Sequence, residues 1–261
     1  MLNYHDIPGL NASGINAFYR SPLHFWKQST FNENREKKEP TPAMVVGSLC
    51  HCLILEPETF DKYFVMEIKV DKRTVQGRKD WEVFKSNLDG RMPVTIDQYN
   101  QASQMRDAMF SNNSIKKLLG NGCSEEVVTW HREDNGIRCK AKLDYLRNGL
   151  VVDYKTTEDA NPKTFMKSIA NYGYHRQMAW YMEAAERHTG EKPRGAVLIV
   201  QEKSMPEAIG IYALDNAAIE QGEEECNHAY EEISERLKTG RWDAYINPDM
   251  PIQSISLPGW Y

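Results

Sequence analysis

Apolar and polar positions alternate most regularly between Ile137 and Leu146. Ile137, Cys139, Ala141, Leu143 and Tyr145 are apolar or aromatic, and Arg138, Lys140, Lys142 and Asp144 lie between them. Period two predicts a half-buried strand with its polar side chains on one face. Asn148-Gly149 is a hairpin turn signal, so Leu150 to Thr156 is read as the returning strand. Glu125 to His131 precedes them as another strand. Ala196 to Gln201 and Ala208 to Ala213 read as two more. Helical spacing predicts helices from Pro162 to about Ala170, from Tyr174 to His188 closed by Gly190, and from Asn216 to Lys238.

The first third has a different texture. Ser13 is placed as the cap of a short helix through Phe18 and Tyr19, ended by Ser21-Pro22. A second short helix carries Phe25 and Trp26. Phe31 to Pro42 is polar and reads as a loop, and Ala43 to Leu55 as a helix stopped before Pro57. Residues 58–122 read as short, mostly helical pieces, of which Gln98 to Phe110 and Ser114 to Leu119 are the best helix candidates. Strands, then helices, two further strands and a last helix predict an α/β core flanked by a helical N-terminal region. Gly240 to Tyr261 reads as an irregular tail whose Trp242, Tyr245 and Trp260 pack on the surface.

Composition changes little in this picture. The chain of 261 residues is 41% hydrophobic and 26% charged, ordinary for a globular protein and long enough for a sizeable core. No apolar run reaches membrane-spanning length. Met1 to Leu10 lacks the basic start and apolar run of a signal peptide, which predicts a cytosolic protein with no membrane partner. Cys50, Cys52, Cys123, Cys139 and Cys226 are odd in number and scattered, which fits reduced thiols better than a disulfide framework. Cys50-His51-Cys52 has poor spacing for zinc, because consecutive helix residues point about 100° apart.

Charge qualifies the functional classes. A net charge of -5 counts against nucleic acid when taken alone, since such binding neutralises phosphates. Its distribution is uneven. Asp215 to Glu235 holds eight acidic residues and no Lys or Arg, and the remainder is slightly basic. Lys69, Lys72, Arg73, Arg78, Lys79, Lys85 and Arg91 form one basic cluster, and Arg138, Lys140 and Lys142 another. An acidic outer face with a basic inner one would suit DNA. Ordinary solvated faces would give the same runs.

The candidate chemistry lies on the hairpin. Asp144 ends the polar face of the first strand. Asp153 and Lys155, two apart, share a face of the second together with Val151, while Val152 and Tyr154 share the other. The turn would bring two carboxylates and an ammonium together. Charges placed mid-strand are costly unless they pair or bind a metal. Phosphodiester hydrolysis needs an activated water and a place for negative charge to build up. Divalent cations held by carboxylates supply both, and a Lys can orient the water or steady the phosphate. A structural Asp-Lys pair is the alternative for an isolated D-x-K.

Asp144 followed by Asp153-Tyr154-Lys155 resembles the PD-(D/E)xK nuclease superfamily, in its RecB-like branch. Gly47-Ser48-Leu49-Cys50-His51 resembles that branch's G-x-x-x-H helix, whose His is a metal ligand. Tyr174, Gln177 and Tyr181 resemble its Gln-Tyr motif. Ser21-Pro22-Leu23-His24-Phe25, the string Gly47 to Pro57, Asp153 to Thr157 and Leu257-Pro258-Gly259-Trp260 are similar to RecE-type exonuclease VIII nucleases of phages and prophages. One departure is that Ala141-Lys142-Leu143-Asp144 lacks the Pro or Gly often found near that Asp. The resemblance implies a restriction-endonuclease-like core with a mixed central sheet. It implies one nuclease domain over residues 1–261: a mainly helical region over 1–122 with the His motif, the catalytic core over 123–239 and the tail over 240–261.

It also implies that His51, Asp144, Asp153 and the Tyr154 carbonyl hold Mg²⁺ or Mn²⁺, that Lys155 orients water, and that Gln177, Tyr181 and Tyr174 support the site. Without the motif, His51 suits simple packing and the Gln177 face suits an ordinary core. Arg138 and Lys140 are candidates for gripping the DNA backbone beside the cut. Glu125 could supply a further carboxylate, but Glu125-Glu126 fits exposed charge equally well. The implied activity is digestion of linear double-stranded DNA from 5′ ends in the bacterial host cytoplasm. It would leave 3′ tails for a single-strand annealing recombination protein, with the enzyme a homo-oligomeric ring, a tetramer by likeness. The alternatives are an endonuclease or Cas4-like nuclease of the same superfamily, or a non-enzymatic DNA-binding scaffold. The dispersed cysteines disfavour a Cas4-like iron-sulfur site.

Overall fold

The computed structural model describes residues 4–35, 39–132, 136–246 and 252–257. Local sequence explains most helix boundaries. α1 (Ala12–Arg20) starts at Asn11, whose side chain accepts from the Gly14 N–H. The cap is therefore Asn11 rather than Ser13, one residue before the helix with extended backbone, where a short polar side chain can reach back to the third N–H. α2 (Pro22–Gln28) is capped by Ser21, and α3 (Pro42–Leu55) by Thr41, each with proline in its first turn, where a missing N–H costs nothing.

The segment 58–122 holds more than short helices. α4 (Phe60–Tyr63) runs into β1 (Phe64–Met66), α5 (Val75–Ser86) follows, and β2 (Met92–Val94) pairs parallel with β1. Three-residue strands are too short to show a period in sequence, so this small sheet was not foreseeable. α6 (Ile96–Ser111) begins with a Thr95/Gln98 capping box, and α7 (Asn113–Leu118) follows Asn112.

The main sheet contains β3 (Cys123–His131), β4 (Arg138–Arg147), β5 (Leu150–Thr157), β6 (Gly195–Glu202) and β7 (Ile209–Ala213), in that spatial order. Only β5 and β6 run parallel; the other neighbours are antiparallel. Asn148 and Gly149 both have positive φ, as a tight two-residue hairpin turn needs. α8 (Pro162–Tyr172) and α9 (Tyr174–Thr189) form the crossover between β5 and β6, and α10 (Asn216–Thr239) closes the order. A mixed sheet flanked by helices is thus the architecture that the sequence predicted.

Two cores sandwich the sheet. One joins α1, α2, α8, α9 and α10 to Leu143, Val151, Leu198 and Val200. The other joins α3, α6 and α7 to Tyr145, Val152, Tyr154 and Ile199. Among the described residues no helix is long and apolar enough to cross a membrane. The acidic helix α10 is two-faced: Ile219, Gly222, Cys226, Ala229 and Ile233 are buried. Gly222 lies where α10 meets α9, and a Cβ there would come within 2.5 Å of the His175 carbonyl oxygen. Gly222→Val is expected to push the helices apart and lower stability by about 1–3 kcal/mol, read as an earlier urea midpoint. A midpoint at or above the wild type would contradict this packing.

Trp242 behaves as expected of a packed aromatic, stacking on Trp26 at 4.8 Å and 7°. Tyr245 is exposed. Trp260 and the rest of 258–261 lie outside the described residues.

Candidate active site

The regular alternation of β4 does not survive to its end. Leu143 belongs to the first core, but Tyr145 belongs to the second with its cross-strand partner Val152, and Leu146 returns to the first with Val151. The strand changes face at Asp144. Directly opposite, the β3–β4 ladder skips one pair: Ser124 pairs Tyr145 and Glu126 pairs Leu143, with Glu125 between them at φ +57°. A left-handed conformation at a non-glycine costs roughly 1–3 kcal/mol and persists only where the surroundings enforce it.

On its other side β4 also separates from β5. Their register runs only from Arg147↔Leu150 to Tyr145↔Val152. Beyond it the Tyr154 N–H donates to Asp144 Oδ2 at 2.9 Å. A carboxylate satisfies a buried backbone donor beyond the last strand pair, and the separation of β4 from β5 sets Asp144 beside Asp153.

α3 brings His51 to this gap. His51 Nδ1 lies 3.3 Å from Asp144 Oδ2, and its ring meets the Tyr154 ring edge-on at 5.2 Å. Gly47, one turn earlier, faces β5; a Cβ there would lie 3.6 Å from Thr156 Oγ1. His51, Glu125 and Asp144 can each present one ligand atom with all three within 4.8 Å of one another. Glu125 is the residue that sequence reasoning leaves out of the site, because its neighbour Glu126 makes the pair look like surface charge. Its side chain is only 7% exposed. No local signal in the sequence marks it, because its place beside Asp144 depends on the β3–β4 ladder and on the positive φ of Glu125.

Asp153 is fully buried, and Lys155 Nζ stands 2.5 Å from its Oδ2. That oxygen receives no hydrogen bond of acceptable geometry. Gln177 Nε2 donates to Asp153 Oδ1 at 3.3 Å and to the Tyr181 hydroxyl at 2.9 Å. Lys155 Nζ also lies 5.1 Å from the Tyr174 ring centroid. The Gln177 face of α9 is therefore directed at the carboxylates. Tyr154 itself points into the second core, where its hydroxyl donates to Gln201 Oε1 at 2.7 Å.

The basic strand face is not a single surface. Lys140 is 2% exposed and donates to the Tyr4 and Ile7 carbonyls at 2.9 and 2.7 Å. It ties the N-terminal segment to β4 and is not open to a DNA backbone. Lys142 pairs with Glu125. Arg138 is exposed, but it is six residues from Asp144, about 20 Å along a strand. It is not brought to the carboxylates. Cys50 and Cys52 are buried free thiols whose sulfurs meet the Met105 sulfur and the Glu56 carbonyl oxygen. In the other basic cluster Arg73, Lys85 and Arg91 pair with Asp71, Glu82 and Asp89, and Lys72 lies over the Trp81 ring.

Burial governs protonation. It raises Asp153 to about 6, against the pull of Lys155. It also raises Asp144, which Lys155 and the Tyr154 N–H oppose, and raises Glu125, where Asp144 adds to the effect. Burial, reinforced by Lys155, lowers His51 and favours its neutral, ligating form. Burial alone would lower Lys155, but Asp153 and Asp144 hold it above its ordinary value, so it stays an ammonium. Carboxylate oxygens and a neutral imidazole fit a hard or borderline divalent cation.

Comparison with known proteins agrees with this fold. A crystal structure of a candidate exonuclease from Eubacterium rectale superposes with a TM-score of 0.65 at 18% identity, over 96% of this chain and 90% of that one. A likeness at that identity is one of fold. A second solved structure, SSO0001, has a TM-score of 0.30 at 14% identity, over 70% of this chain and 85% of that one, and carries no argument. No curated protein matches. The family profile described as a PDDEXK-like domain of unknown function matches residues 11–247, nearly all of the core and site. The chain belongs to that PDDEXK-like family, DUF3799.

Proposed function

We propose that this chain is a divalent-metal-dependent exodeoxyribonuclease that digests linear double-stranded DNA. The observation that carries the reading is the convergence of His51, Asp144, Asp153 and Lys155 where β4 and β5 splay apart. His51, Asp144 and Asp153 would hold Mg²⁺ or Mn²⁺, with Glu125 beside them and the Tyr154 carbonyl as a further ligand by family likeness. Such a cation supplies Lewis acidity toward the phosphate and lowers the pKa of water. The Lys155 ammonium cannot serve as a base while protonated. It orients the attacking water and offsets charge on the phosphate oxygens. Gln177 fixes the Asp153 carboxylate, and Tyr181 and Tyr174 hold Gln177 and Lys155 in place.

The preference for ends, the 5′ to 3′ direction, a ring-shaped homo-oligomer and an annealing-protein partner in a bacterial cytoplasm are supported by the motif likeness to RecE-type nucleases. The test compares linear with covalently closed duplex, with and without Mg²⁺. Metal-dependent loss of the linear form alone is expected. Equal cutting of the closed circle would make the enzyme an endonuclease, and metal-independent binding without cutting would make it a scaffold.

Protonation gives a second test. Asp153 titrates near 6 when folded, against 3.8 ordinarily. Between those values the folded form binds the extra proton, so its contribution to stability is present at low pH and is lost as pH rises through about 6. Cation binding needs the deprotonated form. The Mn²⁺-induced rise in melting temperature should therefore be larger at pH 7.5 than at pH 5.5. A larger rise at the acid pH would contradict the ligand set.

A further inference from the structure

We infer that Lys142 occupies Glu125 in place of a divalent cation and gives it up when the cation binds, freeing its ammonium for a substrate phosphate. The inference rests on the nuclease reading and adds a residue to it. Glu125 serves two partners. It belongs to the group His51, Glu125 and Asp144, whose ligand atoms lie within 4.8 Å of one another, and it also makes an ion pair with the Lys142 ammonium. Its side chain is 7% exposed and its φ is +57°, so the backbone is held in an unfavourable conformation that keeps the carboxylate against Asp144. Nearby, the buried Asp153 carboxylate is held by Lys155 and Gln177, so further negative charge is concentrated beside the same group.

Lys142 differs from the other cations of β4. Lys140 is used up by two backbone carbonyls, and Arg138 stands at the strand's far end. Lys142 is two residues from Asp144, about 7 Å along the strand, and its side chain is 34% exposed. It can turn to solvent without crossing the core. A dication at the three-residue group would draw on the Glu125 oxygen and repel the ammonium beside it. A lysine released there lies within reach of a phosphate next to the one being cut.

The experiment measures Mn²⁺ binding by calorimetry for the wild type, Lys142→Met, Lys142→Gln and Glu125→Gln, and duplex binding in Ca²⁺ for the same set. If Lys142 competes with the cation, both lysine substitutions tighten Mn²⁺ binding about three- to tenfold while weakening duplex binding by a similar factor. Glu125→Gln weakens Mn²⁺ binding, and adding Lys142→Met to it changes Mn²⁺ affinity no further. Unchanged or weaker Mn²⁺ binding in both folded lysine variants overturns the exchange. Tighter Mn²⁺ binding in a protein that binds no duplex even as wild type leaves the exchange standing and removes the nuclease reading.

Discussion

Asp153→Asn should reduce Mg²⁺-dependent digestion of linear duplex by at least about 10²–10³-fold, the scale set by removing one group that stabilises developing charge. The carboxylate stands between two functions. One oxygen pairs with Lys155 and the other accepts from Gln177. An amide keeps the shape but loses the charge that attracts a cation. It should also weaken the Mn²⁺-induced melting shift. Fold is a separate matter, because breaking a buried pair from one side costs about 3–5 kcal/mol. Asp144 still faces Lys155, which softens that cost in the asparagine variant. Adding Lys155→Met should recover stability but not activity. A single Asp153→Asn variant that digests DNA at the wild-type rate would move the chemistry elsewhere. Recovery of activity in the double variant would reduce the pair to a structural element.

Trp180→Ala should give the largest loss of stability, about 3–5 kcal/mol, seen as a lower urea midpoint with a similar slope. Trp180 is fully buried, its Nε1 donates to the Lys140 carbonyl at 3.0 Å, and its ring lies 5.0 Å from that of Trp130. It fixes α9 against β4. The same helix carries Gln177 and Tyr181 to Asp153. In a variant that remains folded, turnover should therefore fall as well, with the metal-induced melting shift largely kept because the proposed ligands come from α3, β4 and β5. A loss below about 1 kcal/mol would show that α9 is held in place without this ring.

Much of the fold was legible in the chain. The strand at Ile137 to Leu146, the Asn148-Gly149 turn and the helices from Pro162, Tyr174 and Asn216 all lie within a few residues of their observed spans. Each depends on local chemistry: alternation, turn residues, prolines and glycines at ends. Asp153 and Lys155 on one face follow from the same period. The small sheet of β1 and β2 has no such signature, because its three-residue strands are joined by α5 and pair only through tertiary contact.

Tertiary structure decided the rest. Sequence spacing made Arg138, Lys140, Lys142 and Asp144 a single face, but nothing local shows that a strand changes sides at Asp144. That change follows from Glu125 opposite and from β5 turning away after Val152. Lys140 looked available until the N-terminal segment folded over it with two carbonyls. Glu125 looked like surface charge until its backbone placed it beside Asp144 and His51. The residue types and their periods were thus set by the sequence, since these act over one or two turns of chain. Which charges are buried, paired or open to a ligand was set by segments far apart in sequence, since the free energy of a charge depends on everything packed around it.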